Sequence, residues 1–290
     1  MRSCNLKAYA KINLGLDVLR RREDGYHEVS MIMQTVNLYD NLYIKRIEKE
    51  DIIINCNRRY LPTNENNIIH KTATLLKKEY NLPGGIFVDL KKNIPVAAGM
   101  AGGSTDAAAV LVGMNRLFDL GLSGERLMEL GVMIGADVPY CVMRGTALSE
   151  GIGERLTGLP ALPPCYILIA KPEISVSTGF VYKNLVLNED TPHPDIPGMA
   201  EAIRQGDLEG VISRMGNVLE TVTIPDYPIV KDYKDALASY GAEGVLMSGS
   251  GPTVFGIFTS KERGYEAADL MKERFPRGTV IFTRPFSINR

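Results

Sequence analysis

The sequence lacks what would point to a membrane, a zinc site or a nucleic-acid partner. Its 290 residues carry 33 Lys and Arg against 34 Asp and Glu, a net charge of −1. Bulk charge therefore draws the chain neither to nucleic acid nor to an anionic lipid surface. No apolar run approaches the roughly 20 residues needed to span a bilayer. The opening MRSCNLKAYAKINLGLDVLRR is interrupted by Lys7, Lys11 and Asp17 and holds no apolar signal core. Cys4, Cys56, Cys141 and Cys165 form no C-x-x-C pair, and His27, His70 and His193 are equally scattered. That disfavours a dedicated zinc site. The thiols read as reduced, mostly buried groups of a cytoplasmic protein.

Two familiar nucleotide loops are missing as well. Residues 94–118, IPVAAGMAGGSTDAAAVLVGMNRLF, are glycine-rich and run into a helical pattern. No lysine follows the glycines as a Walker loop requires, and the Rossmann spacing G-x-G-x-x-G is absent. What remains is the physics common to both: glycines admit close backbone approach, and a helix N-terminus presents unpaired N–H groups. A tight glycine-rich helix cap is the plainer reading. Two further clusters, residues 249–256 (GSGPTVFG) and 151–158 (GIGERLTG), have Val254 and Leu156 where a third Rossmann glycine would stand. Each alone reads as a turn, although Ser248 to Gly251 links two strand-like runs with four tiny residues.

What is present is an ordinary globular composition, 45% apolar and 23% charged, in a chain long enough for two domains. Strand patterns occupy residues 8–19, 42–47, 51–56 and 86–90, with a hairpin turn at Asp24-Gly25. Ile68, Ile69, Thr72, Leu75 and Leu76 share one helical face, as do Val110, Leu111, Met114, Leu117 and Phe118. Ser104 and Thr105 stand where an N-cap belongs, and Asp106 reads as a first-turn acid suited to the helix dipole. A helix is expected over 124–134. Residues 151–164, rich in Gly and Pro, are the expected boundary, giving domains 1–155 and 156–290. The second half predicts a strand at 165–171 and helices near 199–205, 208–220 and 228–240. Strands at 244–247 and 253–259, a helix at 262–274 and a strand at 279–283 follow. The expected class is α+β, two domains with mixed sheets covered by helices.

Three further segments could carry chemistry. On a strand, Lys11 and Asn13 point to one face, either as the solvated side of an edge strand or as groups aimed into a cleft. Asp137, between a helix end and Pro139, is either a C-terminal cap or a general base. Tyr26 and His27, beside the turn, are either packing or a stacking and hydrogen-bonding pair for a planar ligand.

In order along the chain, AKINLGL, IPVAAGMAGGSTDAAA and MSGSGPTVFG resemble the three motifs of the GHMP kinase superfamily. The likeness covers nearly the whole chain. It implies an N-terminal domain like ribosomal protein S5 domain 2 and a ferredoxin-like C-terminal domain. K-I-N-L, R-x-D-G-Y-H and G-A-D-V-P resemble members that act on a cytidine-diphosphate-linked methylerythritol in non-mevalonate isoprenoid synthesis. The implied reaction is transfer of the ATP γ-phosphoryl group to the 2-hydroxyl, with Mg²⁺ as the companion of ATP. Asp137 would be the base and Lys11 would steady that carboxylate and the developing charge. Asn13, Tyr26, His27 and Tyr182 would bind substrate, the rings against cytosine. Asn67 would lie near adenine, and Pro95, Val96, Ala97, Ala98, Gly99, Met100, Ala101, Gly102, Gly103, Ser104 and Thr105 would wrap the ATP phosphates. Ala101 replaces a glycine common in the family, which is harmless only at negative φ. Other readings are a kinase for homoserine or mevalonate, or a non-catalytic protein of the same fold. The expected partner is a small molecule, with no nucleic acid or membrane, in a monomer or weak homodimer.

Overall fold

In the computed structural model, which describes residues 2–287, the first two strands are the longest. β1 (Ser3–Arg21) and β2 (His27–Ile47) are joined by the expected Asp-Gly turn. The Arg22 N–H donates to the Tyr26 carbonyl at 2.8 Å, and Gly25 takes φ +86°, which the turn requires of it. β3 (Ile52–Cys56), α1 (Ile68–Tyr80), β4 (Gly85–Lys91) and α2 (Gly102–Leu117) follow. Then come α3 (Gly124–Val132), α4 (Val138–Met143) and the hairpin β5 (Thr146–Gly151) and β6 (Arg155–Leu159). The rest holds β7 (Tyr166–Lys171), α5 (Thr178–Asn184), α6 (Ile196–Gln205), α7 (Leu208–Ile212) and β8 (Gly216–Asn217). α8 (Glu220–Asp226), α9 (Ile229–Ser239), β9 (Gly244–Met247), β10 (Val254–Phe258), α10 (Lys261–Arg274) and β11 (Thr279–Thr283) complete it.

The larger sheet has the order β3-β4-β2-β1-β8, with β5 paired to β2 and β6 to β5. The second has the order β11-β7-β10-β9 and is antiparallel throughout. Numbered by appearance, that order is 4-1-3-2, the ferredoxin-like arrangement the resemblance implies. The α+β class and mixed first sheet also match expectation, since β3–β4 and β1–β8 are its parallel pairs.

Contacts divide the described chain into two compact units. The first comprises residues 2–10, Leu38–Val96 and Ala101–Met143. Its core joins Ile69, Ala73 and Leu76 of α1 to Val110, Leu111, Met114 and Leu117 of α2, with Leu42, Ile44, Ile86 and Val88 from the strands. Burying each Leu, Ile or Met is worth about 1.5–3 kcal/mol. α2 seats closely: a Cβ on Gly113 would lie 2.7 Å from Ile44 Cδ1 and 2.8 Å from Leu6 Cδ1.

The second unit comprises Lys11–Asn37, Ala97–Met100 and residues 144–287. All five residues of β10 are buried. Ile167, Leu168 and Ile169 of β7, Leu237 of α9 and Met271 of α10 share the core. Three expectations change here. The helix expected over 208–220 stops at Ile212, and Gly216–Asn217 instead pairs in parallel with Gly15 and Leu16 of β1. Tertiary pairing overrides local helix preference. α5 lies in SVSTGFVY, where no helix was expected; Ser177 caps it by accepting from the Phe180 N–H. Much of the Gly/Pro-rich stretch 151–164 forms the turn and second strand of the β5–β6 hairpin.

Candidate active site

Within the second unit, Lys11 and Asn13 lie on β1, which β2 and β8 flank, so this is no edge strand. Both are buried, Lys11 to 5% and Asn13 to 0% exposure. The solvated-face reading therefore fails. Lys11 Nζ donates to Asn13 Oδ1 at 2.6 Å, and Asn13 Nδ2 donates to Met31 Sδ at 3.2 Å. The amide thus faces its oxygen to the ammonium, which helps to offset the cost of burying that charge.

The Lys11 N–H also donates to the Met100 carbonyl at 3.2 Å. That holds the segment Ala97–Met100 against β1. Gly99 in this segment takes φ +68°, and a Cβ there would run into the Ser248 carbonyl oxygen. Ser248 Oγ donates to the Gly99 carbonyl at 3.0 Å. The four tiny residues Ser248 to Gly251 therefore act together with the central loop and are more than a turn. Asn217 Nδ2 braces them by donating to Met247 O and Gly249 O, both at 2.8 Å. Thr223 Oγ1 donates to Ser250 O at 3.2 Å, and Thr178 and Ser250 hydroxyls pair at 2.8 Å. Asn217, Thr178 and Thr223 escaped the sequence reading because nothing marks a bracing amide before its turn is seen.

The same unit brings His27 and Tyr182 together, with ring centroids 5.1 Å apart at 40°. Burial, followed by the nearby Arg21, pushes the His27 imidazole below its usual value. It is thus neutral at pH 7, suited to hydrogen-bonding an uncharged base. Tyr26 is 58% exposed at the turn.

Within the first unit, Ala101 is the N-cap of α2, at φ 55° and ψ 29°, with no side-chain cap. The first helical bond runs from the Thr105 N–H to the Ala101 carbonyl at 2.9 Å. The N–H groups of Gly102, Gly103 and Ser104 have no intrahelical acceptor, the usual anion-binding end of a helix. Ser104 and Thr105 are thus inside the helix and are not its caps, and Thr105 is only 2% exposed. Ala101 breaks the condition of negative φ, and so does Ala97, at φ 50°. An alanine held there costs about 1–2 kcal/mol against a relaxed backbone.

Asp106 is not a solvated first-turn acid. It is 3% exposed, with Oδ2 2.6 Å from Lys92 Nζ. Burial is the largest influence on it and raises its pKa to about 8. Lys92 also reaches Asp40 Oδ2 at 2.5 Å and the Gly102 carbonyl at 2.8 Å.

Asp137 does not cap the end of α3. It stands at the head of α4, its carbonyl accepting from the Cys141 N–H at 3.1 Å. Pro139 fits that first turn because its missing N–H is not needed there. Asn67 is the N-cap of α1: Oδ1 accepts from the Ile69 N–H at 2.8 Å and Nδ2 donates to Pro62 O at 2.6 Å. Pro95 and Val96, both half-buried, lead into the loop.

Against known proteins, the GHMP kinases N terminal domain matches residues 67–145 and the GHMP kinases C terminal domain residues 199–277. A 4-diphosphocytidyl-2-C-methyl-D-erythritol kinase of Lachnospira eligens is 55% identical, covering 99% of this chain and 100% of that protein. A kinase of the same name from Clostridium perfringens is 47% identical over 98% of this chain and 99% of its own. A solved 4-(cytidine 5'-diphospho)-2C-methyl-D-erythritol kinase matches with TM-score 0.82 at 31% identity, covering 98% of this chain and 100% of the other. A homoserine kinase from Cytophaga hutchinsonii matches with TM-score 0.80 at 20% identity, covering 99% and 96%. That last likeness is one of fold alone.

Proposed function

Because the chain belongs to the GHMP kinases, and within them to the 4-diphosphocytidyl-2-C-methyl-D-erythritol kinase family, we propose that it phosphorylates that compound at its 2-hydroxyl. It is an ATP-dependent kinase of isoprenoid precursor synthesis. The observation that carries this reading is 55% identity to a kinase of that name over 99% of the chain. Lys11 and Asp137 are both present, which disfavours a non-catalytic protein of the same fold.

The hydroxyl oxygen attacks the γ-phosphorus, the bond to the β–γ bridging oxygen breaks, and ADP leaves. Asp137 takes the hydroxyl proton, a contribution of about 10²–10⁴ in rate. Lys11 supplies positive charge toward the charge that develops in transfer. Its bond to Asn13 supports a paired role, with Asn13 placing the acceptor. Tyr26, His27 and Tyr182 take the cytosine; the His27–Tyr182 ring contact and the neutral imidazole support this. Residues 95–105 wrap the triphosphate, with the uncapped N–H groups of 102–104 as donors. Asn67 lies near adenine, its second amide hydrogen still available. Most of these groups fall in residues 1–155, with Tyr182 from 156–290.

Magnesium, if bound with ATP, would supply charge neutralisation of the phosphates. Among the described residues no cluster of three or more His, Cys, Asp or Glu stands ready for a metal. Asp106 has an unpartnered oxygen, yet its other oxygen sits on the Lys92 ammonium, a poor place for a second cation. We take the chain to act in the cytoplasm as a monomer or weak homodimer, without nucleic acid or membrane.

A coupled assay of ADP release with the cytidine-diphosphate substrate, homoserine and mevalonate tests the reading. Turnover with the first alone is expected; turnover only with either of the others would overturn it.

A further inference from the structure

Three charged side chains meet in the first unit where no water reaches them. Asp40 is 0%, Lys92 4% and Asp106 3% exposed. Stability alone does not account for such a group, since well-packed apolar residues often serve as well or better in place of buried ions. Its contacts are more informative. Asp40 Oδ1 accepts from the Asn93 and Ile94 N–H groups, at 2.5 and 2.8 Å, immediately before Pro95. Asp40 Oδ2 holds Lys92 Nζ, which holds the Gly102 carbonyl and Asp106 Oδ2. One cluster thus grips the leading end of the glycine-rich loop at 93–94 and its trailing end at 102 and 106. The fit at the trailing end is tight: a Cβ on Gly102 would lie 3.1 Å from both Lys92 Nζ and Ile94 Cγ2.

We propose that Asp40, Lys92 and Asp106 form a buried clasp that closes the phosphate loop at both ends, and so sets affinity for the triphosphate of ATP with little effect on turnover. The proposal rests on the reading of residues 95–105 as the ATP loop. Lys92 is a positioning residue: it reaches the nucleotide only through the Gly102 carbonyl and the helix that begins there. The donors at 102–104 must converge on one anion, and they do so only if the helix start is fixed against the segment leading into the loop. The missing loop lysine is thereby replaced by one that works from beneath the backbone. Asp106 Oδ1 has no hydrogen-bond partner, and burial raises the pKa of this carboxyl.

The test compares Lys92→Met, Asp106→Ala and Asp106→Asn with wild type by steady-state kinetics in both substrates, with Tm measured for each. Lys92→Met and Asp106→Ala should each raise KM for ATP about tenfold, the loss of one charged hydrogen bond. KM for the cytidine-diphosphate substrate and kcat should stay within about threefold of wild type. Asp106→Asn keeps an oxygen for Lys92 and should stay within about twofold in every parameter. If Lys92→Met does not fold, the alanine and asparagine pair at 106 decides. KM for ATP unchanged in a folded Asp106→Ala variant, or both KM values and kcat shifted together, would overturn the clasp. Absence of ATP-dependent turnover in wild type would instead overturn the kinase reading itself.

Discussion

At Ala101 the chain holds an alanine in the left-handed region, φ 55°, at the start of α2. The resemblance marked this position as a departure from glycine, but only the backbone tells what the departure costs. Ala101→Gly removes the left-handed penalty of about 1–2 kcal/mol while adding about 0.4–1 kcal/mol of unfolded-chain entropy. Thermal melts should therefore show Tm unchanged or higher by up to about 3 °C; a fall would mean that the alanine methyl packs usefully. Asp137 carries a different expectation. Asp137→Asn should keep KM for ATP and lose about 10²–10⁴ in kcat, and a variant near wild-type rate would remove Asp137 as the base. Lys11 and Asn13 were legible as one strand face. That this face is buried was not, because its neighbours, Met31 on β2 and Met100 in the central loop, are distant in sequence.

Among the elements, α2 and its loop were visible as glycines followed by an apolar stripe, and the helix came out close to its expected extent. Its cap did not, because Ser104 and Thr105 suit the N-cap chemically while the left-handed turn at Ala101 starts the helix earlier. The Ser248–Gly251 turn was legible only as an oddity. Its role appears once Asn217, Thr223 and Gly99 are seen around it. Replacing Asn217 with Ala leaves the Met247 and Gly249 carbonyls without that donor, a cost of about 1–3 kcal/mol for each group left unsatisfied. Urea unfolding should show that loss, and KM for ATP should rise as Gly99 loses its clamp. Stability and KM both unchanged would refute the bracing role. The clasp had no sequence signal either: Asp40, Lys92 and Asp106 are 52 and 14 positions apart, and only the sheet and α2 bring them together.

For the whole molecule, the ferredoxin-like order of the second sheet could be anticipated from the family likeness and its strand pattern, whereas the discontinuous makeup of the two units could not, since chain order hides contacts between distant segments. Stability as a function of pH is a property at this scale. Asp106 has its folded pKa raised to about 8, above an unfolded value of about 3.9. The native state therefore holds the extra proton between those values, and this group's contribution, full at low pH, is lost as pH rises toward 8. Wild type should lose stability relative to Asp106→Asn between pH 5 and 8, by urea unfolding; a constant difference would mean that the carboxyl is already ionised at pH 5. The central claim is that one phosphoryl group moves to a hydroxyl while the cytidine diphosphate stays intact. Phosphorus-31 NMR of the reaction of wild type with ATP and 4-diphosphocytidyl-2-C-methyl-D-erythritol reads this directly. A new phosphomonoester resonance should grow in step with ADP while the substrate's diphosphate pair persists. Release of inorganic phosphate alone, or loss of the diphosphate pair, would contradict it.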